Sequence, residues 1–206
     1  MSRRFAELAF TPAVKNEQQK HNSRHLYQRV EQAGDPGDRL GSDEQEFIRQ
    51  RDGFYLATVS ETGWPYIQFR GGNPGFLRVL DDHTLGFADL RGNRQYISTG
   101  NLRHENRVAL FLMDYATQNR LKILGRAEVH EDGPEAAELI EKLRVPEEKT
   151  PPERAYLIHV EAFDWNCQQH ITPRFSQQEL TGILEPMRER MEELEREVAR
   201  LRATKR

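Results

Sequence analysis

The chain has 206 residues, 36% of them hydrophobic and 31% charged, with a formal net charge of −3, a pI near 6.2 and a mean hydropathy of −0.83. This length suits one domain with appendages; the balance of charge argues against a nucleic-acid partner, which calls for a basic footprint, and no apolar run approaches the ~18 residues of a membrane span. A single cysteine, Cys167, excludes an internal disulfide and a cysteine-rich metal site, and the opening MSRRFAELAF lacks the long apolar core of a signal peptide, so a cytoplasmic protein is the plain reading.

Three zones differ in composition: 1–52, 53–175 and 176–206. The first is polar and helix-like, and is expected to pack on the strand-rich second zone. Thr11-Pro12 places a cap residue before a proline at a first helical position. The helical stretch to about Gln32 has few apolar residues. Asp35-Pro36-Gly37-Asp38 is a turn cluster. Ser42-Asp43-Glu44-Gln45-Glu46 reads as the capped start of a short helix to about Arg51.

In the second zone, residues 54–59, 64–70, 76–80, 84–88, 107–114, 120–130 and 156–163 carry strand formers, and Pro134 to Leu143 reads as a helix. About seven short strands with little helix between them predict an antiparallel barrel, mainly β with peripheral α, and not a parallel α/β sheet. In the third zone Ser176-Gln177-Gln178-Glu179 is a capping box. Leu180, Leu184, Met187, Met191, Leu194, Val198 and Leu201 then recur at alternating spacings of four and three, a heptad seam whose secure part starts at Pro186. Two copies in parallel would set Arg190 against Glu195 and Glu197 against Arg202. The competing reading is an amphipathic helix docked on its own barrel.

Three stretches can carry chemistry. In Phe87-Ala88-Asp89-Leu90-Arg91-Gly92-Asn93-Arg94-Gln95 a strand ends, a turn comes next and a helix is expected to begin at Asn93, a natural N-cap. Free N–H groups of a first turn, with Arg91, Arg94 and Gln95 beside them, make a phosphate cradle; a surface arginine pair with an ordinary cap is the alternative. In Arg70-Gly71-Gly72 two glycines at a strand end admit close approach of a flat ring to the backbone, unless they mark only a bulge or a wide hairpin loop. The third, Trp165-Asn166-Cys167-Gln168-Gln169-His170, offers a ring wall in Trp165 and a proton carrier in His170. Cys167 is a nucleophile only with an acid–base pair beside it, and none is identifiable. His21, His25 and Glu17 have a zinc-compatible spacing but no supporting pattern, so no metal is expected. Dinucleotide, Walker A and serine-elbow motifs are absent.

Together FTPAVK, PYIQFRGGNPGFL, LGFADLRGNRQYISTGNL, LKILGRAEV and FDWNCQQHITPRF resemble the flavin-nucleotide-binding proteins related to pyridoxamine 5′-phosphate oxidase, over roughly residues 10–175. The resemblance implies a six-stranded antiparallel FMN-binding split barrel with flanking helices, here with an added C-terminal helix. It also implies a homodimer with FMN at the subunit interface. In the oxidases a Ser-Arg-Lys at a helix start holds the FMN phosphate; the matching positions are Asn93, Arg94 and Gln95, so one charge is lost, for which Arg91 can substitute. Phe87, Ala88 and Asp89 fall at the flavin-contacting strand end. Arg70 begins the other flavin-lining strand, with Gly71 to Gly75 as an insertion. Arg120 lies near a flavin-contacting glutamine of the oxidases, and Trp165 and Arg174 resemble a Trp and an Arg that reach FMN from the other subunit. The Arg-Leu-His-Asp-Arg segment that recognises pyridoxal phosphate is missing. The resemblance therefore implies FMN binding more than pyridoxamine phosphate oxidation. The leading expectation is an FMN-dependent oxidoreductase acting on an unidentified small molecule or electron donor, with Trp165, Asn166 and His170 lining the substrate face. A non-catalytic FMN-binding or storage module is the alternative, and a cofactor-free scaffold a third.

Overall fold

The computed structural model describes residues 1–32, 36–146, 148–165 and 169–204. Asp35 of the expected turn cluster, and Asn166, Cys167 and Gln168 of the third candidate stretch, lie outside the described residues. Two compact units divide the chain: Met1–Asp114 with Asn119–Gln169, and Tyr115–Gln118 with His170–Arg206.

The first unit opens with four short helices, α1 (Arg3–Ala9), α2 (Pro12–Lys20), α3 (Arg24–Gln32) and α4 (Ser42–Arg49). Ser2 caps α1 and also donates its hydroxyl to the carbonyl of Phe163 at 2.7 Å, which fixes the N-terminus to the last strand. Thr11 Oγ1 accepts from the Val14 N–H, and Pro12 is the first residue of α2, as expected. The single helical stretch expected to Gln32 breaks between α2 and α3, where Asn22 adopts φ 56°. In α4 the cap is Gly41, whose N–H is taken by Glu44, so Ser42 is the first helical residue and not the cap.

Seven strands come next: β1 (Gly53–Val59), β2 (Pro65–Gly71), β3 (Arg78–Val79), β4 (Thr84–Leu90), β5 (Arg107–Asp114), β6 (Asn119–His130) and β7 (Pro152–Trp165). They form one antiparallel sheet in the order β2-β1-β5-β6-β7-β4-β3. One more strand appears than the six of the family barrel, and of the segment expected as 76–80 only Arg78–Val79 pairs in the sheet. Phe76 and Leu77 turn into the core instead. The sheet curls until β2 and β4, which are not sheet neighbours, meet through an Arg70–Asp89 ion pair at 2.9 Å. That closure gives the expected mainly β barrel with peripheral helices.

Alternation drives the packing: inward residues of β1, β4, β5, β6 and β7 fill one core. At its centre Phe87 stacks on Tyr156 at 4.9 Å and meets Phe54 edge-on at 5.4 Å, while Phe76 stacks on Phe54. Complete burial of each such side chain stabilises by roughly 1.5–3 kcal/mol. Helices α5 (Ile97–His104) and α6 (Pro134–Leu143) connect strands. Strand β2 inverts the usual pattern. Its polar side chains Tyr66, Gln68 and Arg70 are half-buried, whereas Ile67 and Phe69 face outward at 65% and 55% exposure.

In the second unit α7 (Gln177–Thr204) runs unbroken, with Pro186 inside it and not at its start. The seam is therefore continuous from Leu180. Among the described residues no helix is long and apolar enough to cross a membrane, and no group of three or more metal-ligating side chains comes together.

Candidate functional site

The closure of the barrel leaves a cleft of about 320 Å³ between β2, the end of β4 and the start of α5. That is the lower end of the range for small-molecule sites. The polar face of β2 supplies Arg70, and β4 supplies Phe87, Ala88 and Asp89. The loop 91–96 and the first turn of α5 form the opposite wall.

The helix does not begin at Asn93. Asn93 Oδ1 accepts from the Gln95 N–H at 3.1 Å and closes an Asx turn. Arg94 and Tyr96 then adopt φ 62° and 53°, and α5 starts at Ile97. The physical reason is that an Asn side chain makes the same bond, to an N–H two residues on, in a cap and in a turn. Ile97, Ser98 and Thr99 thus occupy the first helical turn, and no side chain caps it. Its leading N–H groups have no acceptor within the helix. Two buried hydrogen bonds hold α5 in place: Thr99 Oγ1 with the Tyr156 hydroxyl at 2.8 Å, and Asn101 Nδ2 to Thr58 Oγ1 at 2.9 Å.

Charge is organised around Arg154, which stands opposite Asp89 in the β4–β7 ladder. Its Nη1 donates to Asp89 at 3.1 Å, Nε to Glu131 at 2.6 Å and Nη2 to Glu153 at 3.1 Å. Burial pushes the Asp89 carboxyl above its ordinary range, against the opposing pull of Arg70 and Arg154. Glu153 also accepts from Arg91 at 2.9 Å, and that bond holds its carboxyl below the usual range. The Tyr96 hydroxyl donates to Glu153 at 3.3 Å, and Arg154 covers the Tyr96 ring at 4.7 Å. Both carboxylates of the cleft are therefore engaged. Two polar atoms are not: Ser98 Oγ and Arg70 Nε are buried without a hydrogen-bond partner, and both residues line this cleft.

Of the expected site residues, the structure brings Arg70, Gly71, Phe87, Ala88, Asp89, Arg91, Asn93, Arg94 and Gln95 to one cleft. Gly72 lies beside it, in a crevice with Phe76 and Leu143. Arg120 sits elsewhere, its guanidinium over the Phe111 ring at 5.6 Å. Trp165 packs edge-on against Phe47 and donates Nε1 to Glu44 at 2.6 Å. His170, at φ 66°, and Arg174, over the Tyr115 ring at 5.2 Å, belong to the second unit. Sequence reasoning missed Ser98, Glu153 and Arg154. Ser98 was within reach, since shifting the helix start past Tyr96 puts a hydroxyl in the first turn. The other two depend on strand register.

Residues 42–166, well over half of the chain, match the family model of pyridoxamine 5′-phosphate oxidase. The chain belongs to this family. Among solved structures of similar fold, HupZ of Group A Streptococcus gives a TM-score of 0.50 at 19% identity, over 66% of this chain and 99% of that one. A Clostridium acetobutylicum protein of the pyridoxinephosphate oxidase family, related to general stress protein 26 of B. subtilis, gives 0.44 at 16% identity, over 66% and 94%. An FMN-binding protein from Syntrophomonas wolfei gives 0.43 at 14% identity, over 75% and 95%. No curated protein matches the chain significantly.

Proposed function

We propose that this family member is a cytoplasmic, homodimeric FMN-binding flavoprotein of the oxidoreductase type, acting on a small molecule. One observation carries the reading: Ser98 Oγ and Arg70 Nε, buried and unpartnered, line one cleft beside the uncapped start of α5. Such a set fits a bound anion, because the N–H groups and the dipole of a first turn favour negative charge. Ser98, the N–H groups around it and Arg94 would hold the phosphate. Arg70 and the Phe87–Asp89 strand end would lie along the flavin ring. When bound, the flavin supplies a hydride acceptor and donor, and the protein supplies binding and orientation. The homodimer is supported by the outer face of β1 and β2, where Tyr55, Val59, Ile67 and Phe69 are exposed together, Ile67 at 65%. Apolar clusters of this kind mark association surfaces.

FMN and not FAD is expected, because there is one compact anion cradle and no dinucleotide fingerprint. Cofactor released by heat and chromatographed against both standards tests this; a dominant FAD peak, or a colourless protein that takes up no FMN, rejects it. A second reading, FMN held without turnover, is favoured by the engagement of both cleft carboxylates, Asp89 and Glu153, in ion pairs. Anaerobic reduction of the bound flavin by a nicotinamide separates the two: bleaching of the yellow colour supports the oxidoreductase, and an unchanged spectrum supports the holding module.

A further inference from the structure

The second unit carries an apolar stripe along α7. Leu180, Leu184, Met187, Met191, Leu194, Val198 and Leu201 are each between 42% and 61% exposed. From Leu180 to Leu201 they span about 31 Å of helix. Seven apolar side chains on one stripe, at spacings of four and three, match the seam of a left-handed two-stranded coil.

We propose that α7 pairs in parallel and in register with α7 of a second copy of this chain. The seam assigns Leu184, Met191 and Val198 to a positions, and Leu180, Met187, Leu194 and Leu201 to d positions. Three leucines at d and a β-branched residue at a suit a parallel pair. The flanking charges make the occupant a copy of the same helix. In register, Arg190 meets Glu195 of the partner subunit and Glu197 meets Arg202 of the partner subunit, and symmetry doubles both pairs. Unlike charges at these flanks favour the match. In the single chain Arg190 engages Glu193 of its own helix and Glu197 engages Arg200 at 3.3 Å, pairs toward the outer face that the interhelical pairs would replace. The parallel pair covers all seven side chains of the stripe. Pro186 takes a c position on the outer face, where its missing N–H does not disturb the seam.

The inference rests on α7 alone and not on the flavin reading. The test is disulfide trapping in the full chain, with Leu201→Cys at the seam and Ala203→Cys on the outer face of the same helix end. Each is oxidised with oxidised glutathione at low protein concentration, and the wild-type chain with its Cys167 sets the background. Most of the Leu201→Cys chains are expected as a covalent dimer through Cys introduced at 201 on both copies, at least tenfold faster than Ala203→Cys. Both sites are at the end of the helix, so neither threatens the barrel. Linkage of Leu201→Cys no faster than the control would overturn the pairing. A mixture of Leu184→Cys and Leu201→Cys chains that links 184 to 201 in preference to 201 to 201 would overturn its parallel sense.

Discussion

Replacing Arg154 with methionine tests whether one guanidinium holds the barrel end together. The side chain is only 10% exposed and spans Asp89, Glu131 and Glu153 with three different nitrogens. Methionine keeps the length and the apolar stem but supplies no donor. Asp89, whose side chain is 5% exposed, is then left with Arg70 alone. Removing one member of a buried pair costs about 3–5 kcal/mol, because the remaining charge stays desolvated. For a chain of this size each kcal/mol lowers Tm by roughly 2–4 °C, so a fall of about 6–20 °C is expected. The pH dependence comes from the carboxyls. Burial already raises Asp89, and losing Arg154 raises it further. A raised folded-state value means that the folded protein holds the proton more tightly, so the variant loses stability as pH rises through that value. The deficit against wild type should be full at pH 7 and shrink on acidification through the carboxylate range. Arg154→Lys should recover only part of it, since one ammonium cannot span three carboxylates in a fixed fork. Urea unfolding at several pH values gives the measurement. A deficit below about 1 kcal/mol at pH 7, or one that does not change with pH, would refute the reasoning.

Ser98→Ala should weaken FMN binding by about tenfold or more without lowering apoprotein stability, because the hydroxyl has no partner until a ligand supplies one; calorimetric titration of apoprotein with FMN, beside a melt without it, reads both. Arg94→Ala should weaken FMN about tenfold to a hundredfold and riboflavin much less. Arg91→Ala should do less, since Glu153 already engages Arg91; equal losses for FMN and riboflavin would show that Arg94 does not touch the phosphate. The hydrogen bonds from Arg107 hold Glu105 down to about 2, so its contribution is present above the ordinary carboxylate value and is lost as pH falls through about 2. Glu105→Gln should flatten that part of the acid unfolding curve, and superimposable curves would count against the pair. Truncation after Phe175 should leave a dimer that still holds FMN, measured by light scattering; a colourless monomer would assign the assembly to the tail.

The strands most legible in the sequence are those whose residues decide their own fate. Val108-Ala109-Leu110-Phe111-Leu112-Met113 reads as a strand by its length and composition, and β5 takes Arg107–Asp114 as expected, with Val108, Leu110 and Leu112 buried. Pro134 likewise fixes the first turn of α6. Segment 76–80 misleads because its aromatic and apolar residues serve the core, with Phe76 stacked on Phe54, without pairing in the sheet. The cleft was half legible. Arg70 and the 87–95 run come together because each lies at a strand end that the barrel topology brings to one rim. Arg154 was invisible, because only the β4–β7 register sets it opposite Asp89. No local pattern distinguishes a cross-strand ion pair from a surface arginine.

The loop before α5 departs from local rules at several adjacent points. Arg94 and Tyr96 both hold positive φ, a conformation that costs a non-glycine residue of order 1–3 kcal/mol. Helix α5 starts without a side-chain cap, and Ser98 in its first turn is buried without a partner. Nothing about solubility or folding speed demands such an arrangement, and a serine or aspartate at position 96 would cap the helix once the backbone there became extended. What holds the loop is the surrounding network: Glu153 accepts from the Tyr96 hydroxyl while Arg154 covers its ring. Surrounding structure that enforces strain beside unsatisfied donors is the pattern of a preorganised binding site. In the flavin reading each departure has one cause. A natural cap would occupy the N–H groups that the phosphate needs, and the left-handed turn carries the loop clear of them. Mutations that relax the loop, by capping α5 or by removing the strain, therefore act in opposite directions on stability and on ligand affinity.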